Sequence, residues 1–197
     1  MQKLTRSEAH QYWAHPPDKN RPENYARASD ERSLSLVRYV RGLLPEGGSI
    51  LEVGCNIGRN LNFLWEAGYH DLTAIEINAE AIALSRNAYP AMNPNIILGS
   101  AEDILPNLPD LKFDLVFTMA VLVHIHTDSD DVFQHIARIG KRVLVIEQED
   151  EPRLPSDRHF IRDYQVVFTD LGMLQIMSER PVPGLLRSYV CRAFEHV

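Results

Sequence analysis

The 197-residue chain has little of what commits a protein to the extracellular space, a membrane or a nucleic acid. It contains two cysteines, Cys55 and Cys191, far apart and without CxxC spacing. That argues against a disulfide scaffold or a zinc ribbon and leaves two reduced thiols. Its longest uninterrupted apolar stretch is MAVLV, Met119 to Val123, where a membrane-spanning helix needs roughly 20 residues. The start, MQKLTRSEAHQYW, lacks the apolar core and small-residue cleavage site of a secretory leader, so the expected location is cytoplasmic. There is no lysine/arginine block and the formal charge is -7, which favours a small-molecule partner over a nucleic acid or a membrane. No repeat of 20 to 50 residues and no low-complexity tract is present.

What is present is ordinary globular material, 45% hydrophobic and 24% charged. The length suits one domain, residues 1–197, with 1–45 as an N-terminal helical lid segment and 46–197 as its core. Short apolar runs alternate with helical patterns. SILEV (49–53), LTAIEI (72–77), NIILG (95–99), FDLVFTM (113–119) and RVLVIEQ (142–148) predict five strands. Arg59 to Ala67, closed by Gly68, predicts a helix. So do a segment N-capped by Asn78, with Ile82, Leu84, Ala88 and Tyr89 apolar, then Asp128 to Ile139, and Asp163 to Leu171. MLQIMSE and SYVCRAFE, separated by a turn-rich connection, suit an antiparallel pair. The polar HPPDKNRPENY stretch near the N-terminus reads as a loop. Alternating strands and helices imply a doubly wound α/β fold, Rossmann-like, with helices on both faces.

The chemistry-bearing stretch is ILEVGCNIGRN, residues 50–60, where the first strand meets a helix. In doubly wound sheets, ligands bind at the carboxyl ends of the strands. A dinucleotide loop requires G-x-G-x-x-G. Here only Gly54 and Gly58 are glycines, Asn56 and Arg59 hold the other two positions, and NAD is disfavoured. Asparagine still permits the positive φ that such a turn requires. Glu52 precedes the loop, and Glu76 ends the next strand, where a carboxylate can accept both ribose hydroxyls of a nucleoside. GSAED follows the third strand.

With E-x-G-x-x-x-G, a strand-terminal Glu76 and GSAED in order, the chain resembles the class I S-adenosylmethionine-dependent methyltransferases over most of residues 30–197. The resemblance implies a seven-stranded sheet of order 3-2-1-4-5-7-6 and S-adenosyl-L-methionine as cofactor. It implies that EVGCNIG wraps the methionine part, that Glu76 binds the ribose, and that Ser100 and Ala101 border the adenine. The implied contact set is Glu52, Gly54, Cys55, Asn56, Gly58, Asn60, Glu76, Ile77, Ser100, Ala101, Glu102 and Met119, with Arg27 meeting the cofactor carboxylate. Two positions depart from the family pattern: Asn56 stands where glycine is commoner, and Ser100 where aspartate is. The adenine amino contact is then left to Glu102, Asp103 or a backbone carbonyl. LEVGCNIGRNLNFL, IEIN, FDLVFTMAVLVHI and RHFIRDY also resemble the methylases associated with pseudaminic acid biosynthesis, which implies a sugar-related or other small polar acceptor.

Methyl transfer from a sulfonium needs alignment, exclusion of water and, for some acceptors, removal of a proton. His124 and His126, in VLVHIH after the fourth strand, fall on one side if the strand continues, and His124 is a candidate base or substrate contact. The alternative is a helix cap or a bond to the backbone. No third ligand has metal spacing, so no metal is expected. In SDRHFIRDY (156–164), Arg158 and Arg162 suit a carboxylate or phosphate on the acceptor and His159 a second base. The plainer alternative is a solvated loop with ordinary ion pairs. Tyr12, Trp13 and Tyr25 flank the N-terminal loop as lid or substrate-binding aromatics, or as core packing. The sequence therefore predicts a methyltransferase of unresolved acceptor atom and oligomeric state. The competing expectation is a non-catalytic S-adenosylmethionine-binding regulatory or partner subunit.

Overall fold

The computed structural model describes residues 2–27, 29–44, 48–150 and 156–197. Seven strands form one sheet: β1 (Ile50–Val53), β2 (Leu72–Glu76), β3 (Asn95–Leu98), β4 (Phe113–Met119), β5 (Gly140–Gln148), β6 (Met173–Glu179) and β7 (Tyr189–His196). Their order is β3-β2-β1-β4-β5-β7-β6, the one the resemblance implied. β1 to β5 are parallel to one another, and β7 is antiparallel to both β5 and β6. Val53 pairs with both Ile75 and Thr118, so the carboxyl ends of β1, β2 and β4 lie side by side. That alignment creates the cleft.

Eight helices accompany the strands among the described residues: α1 (Arg6–Ala14), α2 (Pro22–Ala26), α3 (Asp30–Leu43), α4 (Arg59–Glu66), α5 (Ala79–Ala88), α6 (Ala101–Ile104), α7 (Asp131–Ile139) and α8 (Tyr164–Asp170). None is long and apolar enough to cross a membrane. The strands read as nearly continuous apolar runs because helices cover both faces of the sheet. In β5, Leu144 and Ile146 join Leu36, Val40, Leu61 and Leu64 from α3 and α4. Val143 and Val145 join Val132, Ile136 and Phe168 from α7 and α8 on the opposite face.

Several local expectations change. α7 begins at Asp131 rather than Asp128, because residues 127–129 make a separate 3-10 turn in which the His126 ring accepts the Asp128 N–H at 3.0 Å. α5 buries Ala81, Ile82 and Ser85 while Ala88 is exposed. The small Ser85 is needed where the Gly58 turn presses on the helix, since a Cβ at Gly58 would lie 2.7 Å from the Ser85 Oγ. The expected loop at 15–25 contains a 3-10 turn, Asp18–Asn20, and then α2 with proline in its first turn. α6 was unforeseen, although Ser100 caps it by accepting the Asp103 N–H at 3.2 Å, an S-x-x-D start signal visible in GSAED.

Candidate active site

The β1–α4 turn is built for close backbone approach. Gly54 (φ 74°), Asn56 (φ 50°) and Gly58 (φ 70°) all occupy the left-handed region. Asn56 stabilises its own turn, its side-chain oxygen accepting the Ile57 N–H at 2.9 Å. The Glu76 carboxylate braces the same turn, accepting N–H groups from Asn56 at 2.6 Å and Asn78 at 2.9 Å. Burial raises the Glu76 pKa, while the N–H donors of Asn78 and Asn56 oppose that rise. Two of roughly four carboxylate lone-pair sites are thereby used, and the rest can accept hydroxyls.

The turn opens on a cleft of about 930 Å³ lined by Gly54, Asn56, Glu76, Ile77, Ser100, Ala101, Glu102, Met119 and Tyr25. Val121, His124 and Ile125 form its far wall. The N-terminus roofs it. Thr5 and Glu8 make a capping box that starts α1. His10 donates to the Glu102 carboxylate at 2.9 Å, and the Trp13 ring lies 4.4 Å from that of His124. The chain before α1 is tied to the 156–159 segment, with the Leu4 N–H donating to the Asp157 carbonyl at 2.8 Å.

Behind the cleft, Asn60 links α4 to the strand ends. Its amide donates to Glu52 Oε1 at 2.9 Å and lies 3.7 Å from the Met119 sulfur, and its oxygen accepts from Ser33 at 2.9 Å. Glu52 Oε2 is buried without a partner among the described residues, and so is Nε of Arg32 on α3. Burial drives the Glu52 pKa up to about 8, against the amide of Asn60. Burial also lowers that of Arg32, and each group feels the other's charge without forming an ion pair with it. A half-buried guanidinium and a buried carboxyl, each with one polar atom left without a partner among the described residues, are costly. Together they match the ammonium and carboxylate of an α-amino acid, so the residues present fit the methionine end of the cofactor.

Eight expected site residues do not line the cleft: Glu52, Cys55, Gly58, Asn60, Arg27, Arg158, His159 and Arg162. Cys55 is buried with its thiol against the Asn56 carbonyl, Gly58 turns the chain into α4, and Asn60 orients Glu52 from behind. Arg27 is exposed, and Arg32 is the cation that burial places beside Glu52. Arg162 is consumed structurally: its guanidinium bonds Asp130 at 2.5 Å and packs over the Phe133 ring. His159 stands 5.1 Å from the His124 ring, outside the lining. His126 packs edge-on to Phe160 while capping the 127–129 turn, because the chain after β4 leaves the strand in a 3-10 turn at 122–124 and the expected alternation ends there. Among the described residues, no three His, Cys, Asp or Glu side chains assemble as metal ligands.

His124 also differs from a conventional base. Its Nδ1 lies 3.0 Å from the Arg158 carbonyl, which can only accept, so Nδ1 carries the proton and Nε2 keeps a lone pair. Burial depresses its pKa to about 3, far below the range that suits proton removal at neutral pH. The ring is a neutral hydrogen-bond acceptor. The turn that carries it hangs on Glu147, a wholly buried carboxylate near the end of β5. Glu147 accepts the Val121 N–H at 3.0 and 3.1 Å and the Val123 N–H at 3.4 Å.

Residues 51–143, just under half of the chain, match the family described as Methyltransferase domain. Phosphoethanolamine N-methyltransferase 3 of Arabidopsis thaliana is 22% identical over 151 residues, covering 69% of this chain and 31% of that protein. The chain thus spans about a third of that relative's length. Two solved structures share the fold. The [4+2]-cyclase SpnF has a TM-score of 0.74 at 15% identity, over 100% of this chain and 98% of that one. Magnesium protoporphyrin IX methyltransferase from Synechocystis PCC 6803, with bound SAH, has a TM-score of 0.73 at 15% identity, over 97% and 98%. The strand order and the cleft are those of a Rossmann-like methyltransferase fold, and residues 51–143 carry the methyltransferase-domain match. The residues that line the cleft fit S-adenosylmethionine as its cofactor.

Proposed function

We propose that this chain transfers a methyl group from S-adenosylmethionine to an oxygen, nitrogen or carbon of a small polar acceptor, in the cytoplasm. In this reading, residues 1–45 act as a lid on a single domain whose core is 46–197. Sugar-related acceptors are the first candidates, in keeping with the resemblance to the pseudaminic acid-associated methylases. The observation that carries the proposal is the continuity of the cleft. Glu76 and the glycine turn stand at one end, Glu52 is tied through Asn60 to the back of Met119, and the cleft runs on past Met119 to Val121 and His124.

When bound, S-adenosylmethionine supplies a methyl group already activated on a sulfonium, so the protein's work is to hold and align. Glu76 would bind the ribose, Ile77, Ser100 and Ala101 would flank the adenine, and Glu52 with Arg32 would hold the amino-acid end. Trp13 and Tyr25 would exclude water, and His124 Nε2 would accept a hydrogen bond from the acceptor. A non-catalytic partner subunit would require no open space beyond Met119, and the open far wall counts against it. Calorimetry with S-adenosylmethionine, followed by an assay of S-adenosylhomocysteine release across hydroxyl, amine and sugar acceptors including phosphoethanolamine, tests the proposal. Binding with turnover of at least one acceptor is expected. Absence of binding refutes the cofactor site, and binding without turnover of any acceptor favours the partner-subunit reading.

A further inference from the structure

The turn that carries His124 leans on a segment without a ladder of its own. Residues 156–160 belong to neither helix nor strand, yet each of their five carbonyls has a donor. Those of Ser156 and His159 both accept from the Lys3 ammonium, at 2.9 and 2.5 Å. The Asp157 carbonyl accepts the Leu4 N–H at 2.8 Å, the Arg158 carbonyl the His124 Nδ1–H at 3.0 Å, and the Phe160 carbonyl an Arg162 Nη1–H at 2.8 Å. The Phe160 N–H in turn donates to the Val123 carbonyl at 2.7 Å, one residue before His124. Residues 3 and 4 thus hold three of the five carbonyls across at least 153 positions of sequence. An ammonium is a point charge with three donors, so two carbonyls can converge on it. With Ser156 and His159 drawn to one ammonium, the Arg158 carbonyl between them has a fixed direction.

Resting on the proposed role of His124 as the hydrogen-bond acceptor for the substrate, we infer that Lys3 is a positioning residue for it. From outside the cleft, Lys3 holds the 156–160 segment so that the Arg158 carbonyl keeps the His124 proton on Nδ1 and leaves Nε2 as an acceptor. Lys3 does not line the cleft, so its route to the reaction runs through backbone carbonyls alone. Released from the Arg158 carbonyl, a neutral imidazole carries its proton on either nitrogen, and the form with the proton on Nε2 offers a donor where an acceptor is required. Lys3 also lies three residues before α1, the helix whose His10 and Trp13 roof the cleft. The segment that closes the site is thereby also the one that sets its hydrogen-bond acceptor.

Histidine side-chain NMR tests this on the full chain, with and without S-adenosylhomocysteine, at about pH 8, where even an exposed imidazole is neutral. Two-bond proton–nitrogen correlations report which ring nitrogen carries the proton, and the signals lost in His124→Asn assign His124 among the eight histidines. The parent should show the His124 proton on Nδ1. In Lys3→Met the two nitrogen resonances should shift toward one another as the proton is shared between both sites. Lys3→Arg, which also has donors for two carbonyls, should return them toward the parent positions. His70, packed on Trp65 before the amino end of β2 and so at the end of the sheet away from the cleft, should not move in either variant. Lys3 is exposed, so the melting midpoint should be little changed. Unshifted His124 nitrogens in Lys3→Met overturn the inference, as does a shift that His70 shares or one that Lys3→Arg leaves in full. A parent with the His124 proton on Nε2 overturns the acceptor role of His124 together with this inference, whereas the Nδ1 form in both parent and Lys3→Met overturns this inference alone. The spectra without S-adenosylhomocysteine keep the result separate from the cofactor reading.

Discussion

Glu52→Gln probes the least usual feature of the site. Without ligand, the buried carboxyl has a pKa of about 8, so at pH 7 it is about nine-tenths protonated. An ammonium brought against Oε2 favours the ionised form, and binding should release up to about 0.9 of a proton per site at pH 7. If only ionised Glu52 pairs with the ammonium, affinity should rise close to tenfold from pH 6 to 7 and level off above pH 8. The sign for folding is the reverse. A pKa raised from 4.5 contributes stability that is present below about 4.5 and lost as pH rises through about 8, so the unliganded protein should melt progressively lower across that window. Glu147, raised to about 7, adds to the same trend. Calorimetry with S-adenosylhomocysteine in buffers of different ionisation enthalpy measures the proton count directly. Proton release that persists in Glu52→Gln, or affinity flat from pH 6 to 8 in the parent, would refute the pairing.

Gly54→Ala places a methyl 2.6 Å from Val121 Cγ2 at φ 74°. It should keep its circular dichroism but lose most S-adenosylhomocysteine affinity in calorimetry. Glu147→Gln replaces one acceptor oxygen with a donor facing the Val121 and Val123 N–H groups. A loss of about 1–3 kcal/mol is expected, read by scanning calorimetry as a fall of about 2–4 °C per kcal/mol for a chain of this size. Arg32→Leu should erase discrimination between S-adenosylhomocysteine and 5′-methylthioadenosine, which lacks the amino-acid end, whereas Arg27→Leu should leave it intact. Equal behaviour of these two variants in the same titration would return the carboxylate contact to Arg27.

Periodicity and punctuation were enough for the strands. A buried parallel strand such as β4 announces itself as an apolar run, and β4 and the antiparallel β6 run from Phe113 to Met119 and from Met173 to Glu179, as their patterns predict. The glycine turn was legible too, because positive φ restricts residue choice locally and Asn56 satisfies that restriction. Helix starts were less secure where a side chain from outside the pattern intervened, as the His126 cap does before α7. The candidate acceptor side was read from residue type alone, which does not show what a distant partner holds, and neither Arg158 nor Arg162 lines the cleft. Arg162 and Arg158 look equivalent in RHFIRDY, yet Asp130, 32 positions away, takes the first.

The sequence by itself determined the doubly wound sheet, its strand order through the resemblance, and the backbone trace of the β1–α4 turn, since each follows from local steric and burial patterns. Only the tertiary structure decided which charges stay unpaired, that Arg32 rather than Arg27 stands beside Glu52, that Glu147 is buried, and that His124 is a neutral acceptor. Those properties depend on desolvation and on partners distant in the chain, as with Arg59 and Asp30, whose ion pair spans 29 residues. No local pattern encodes them.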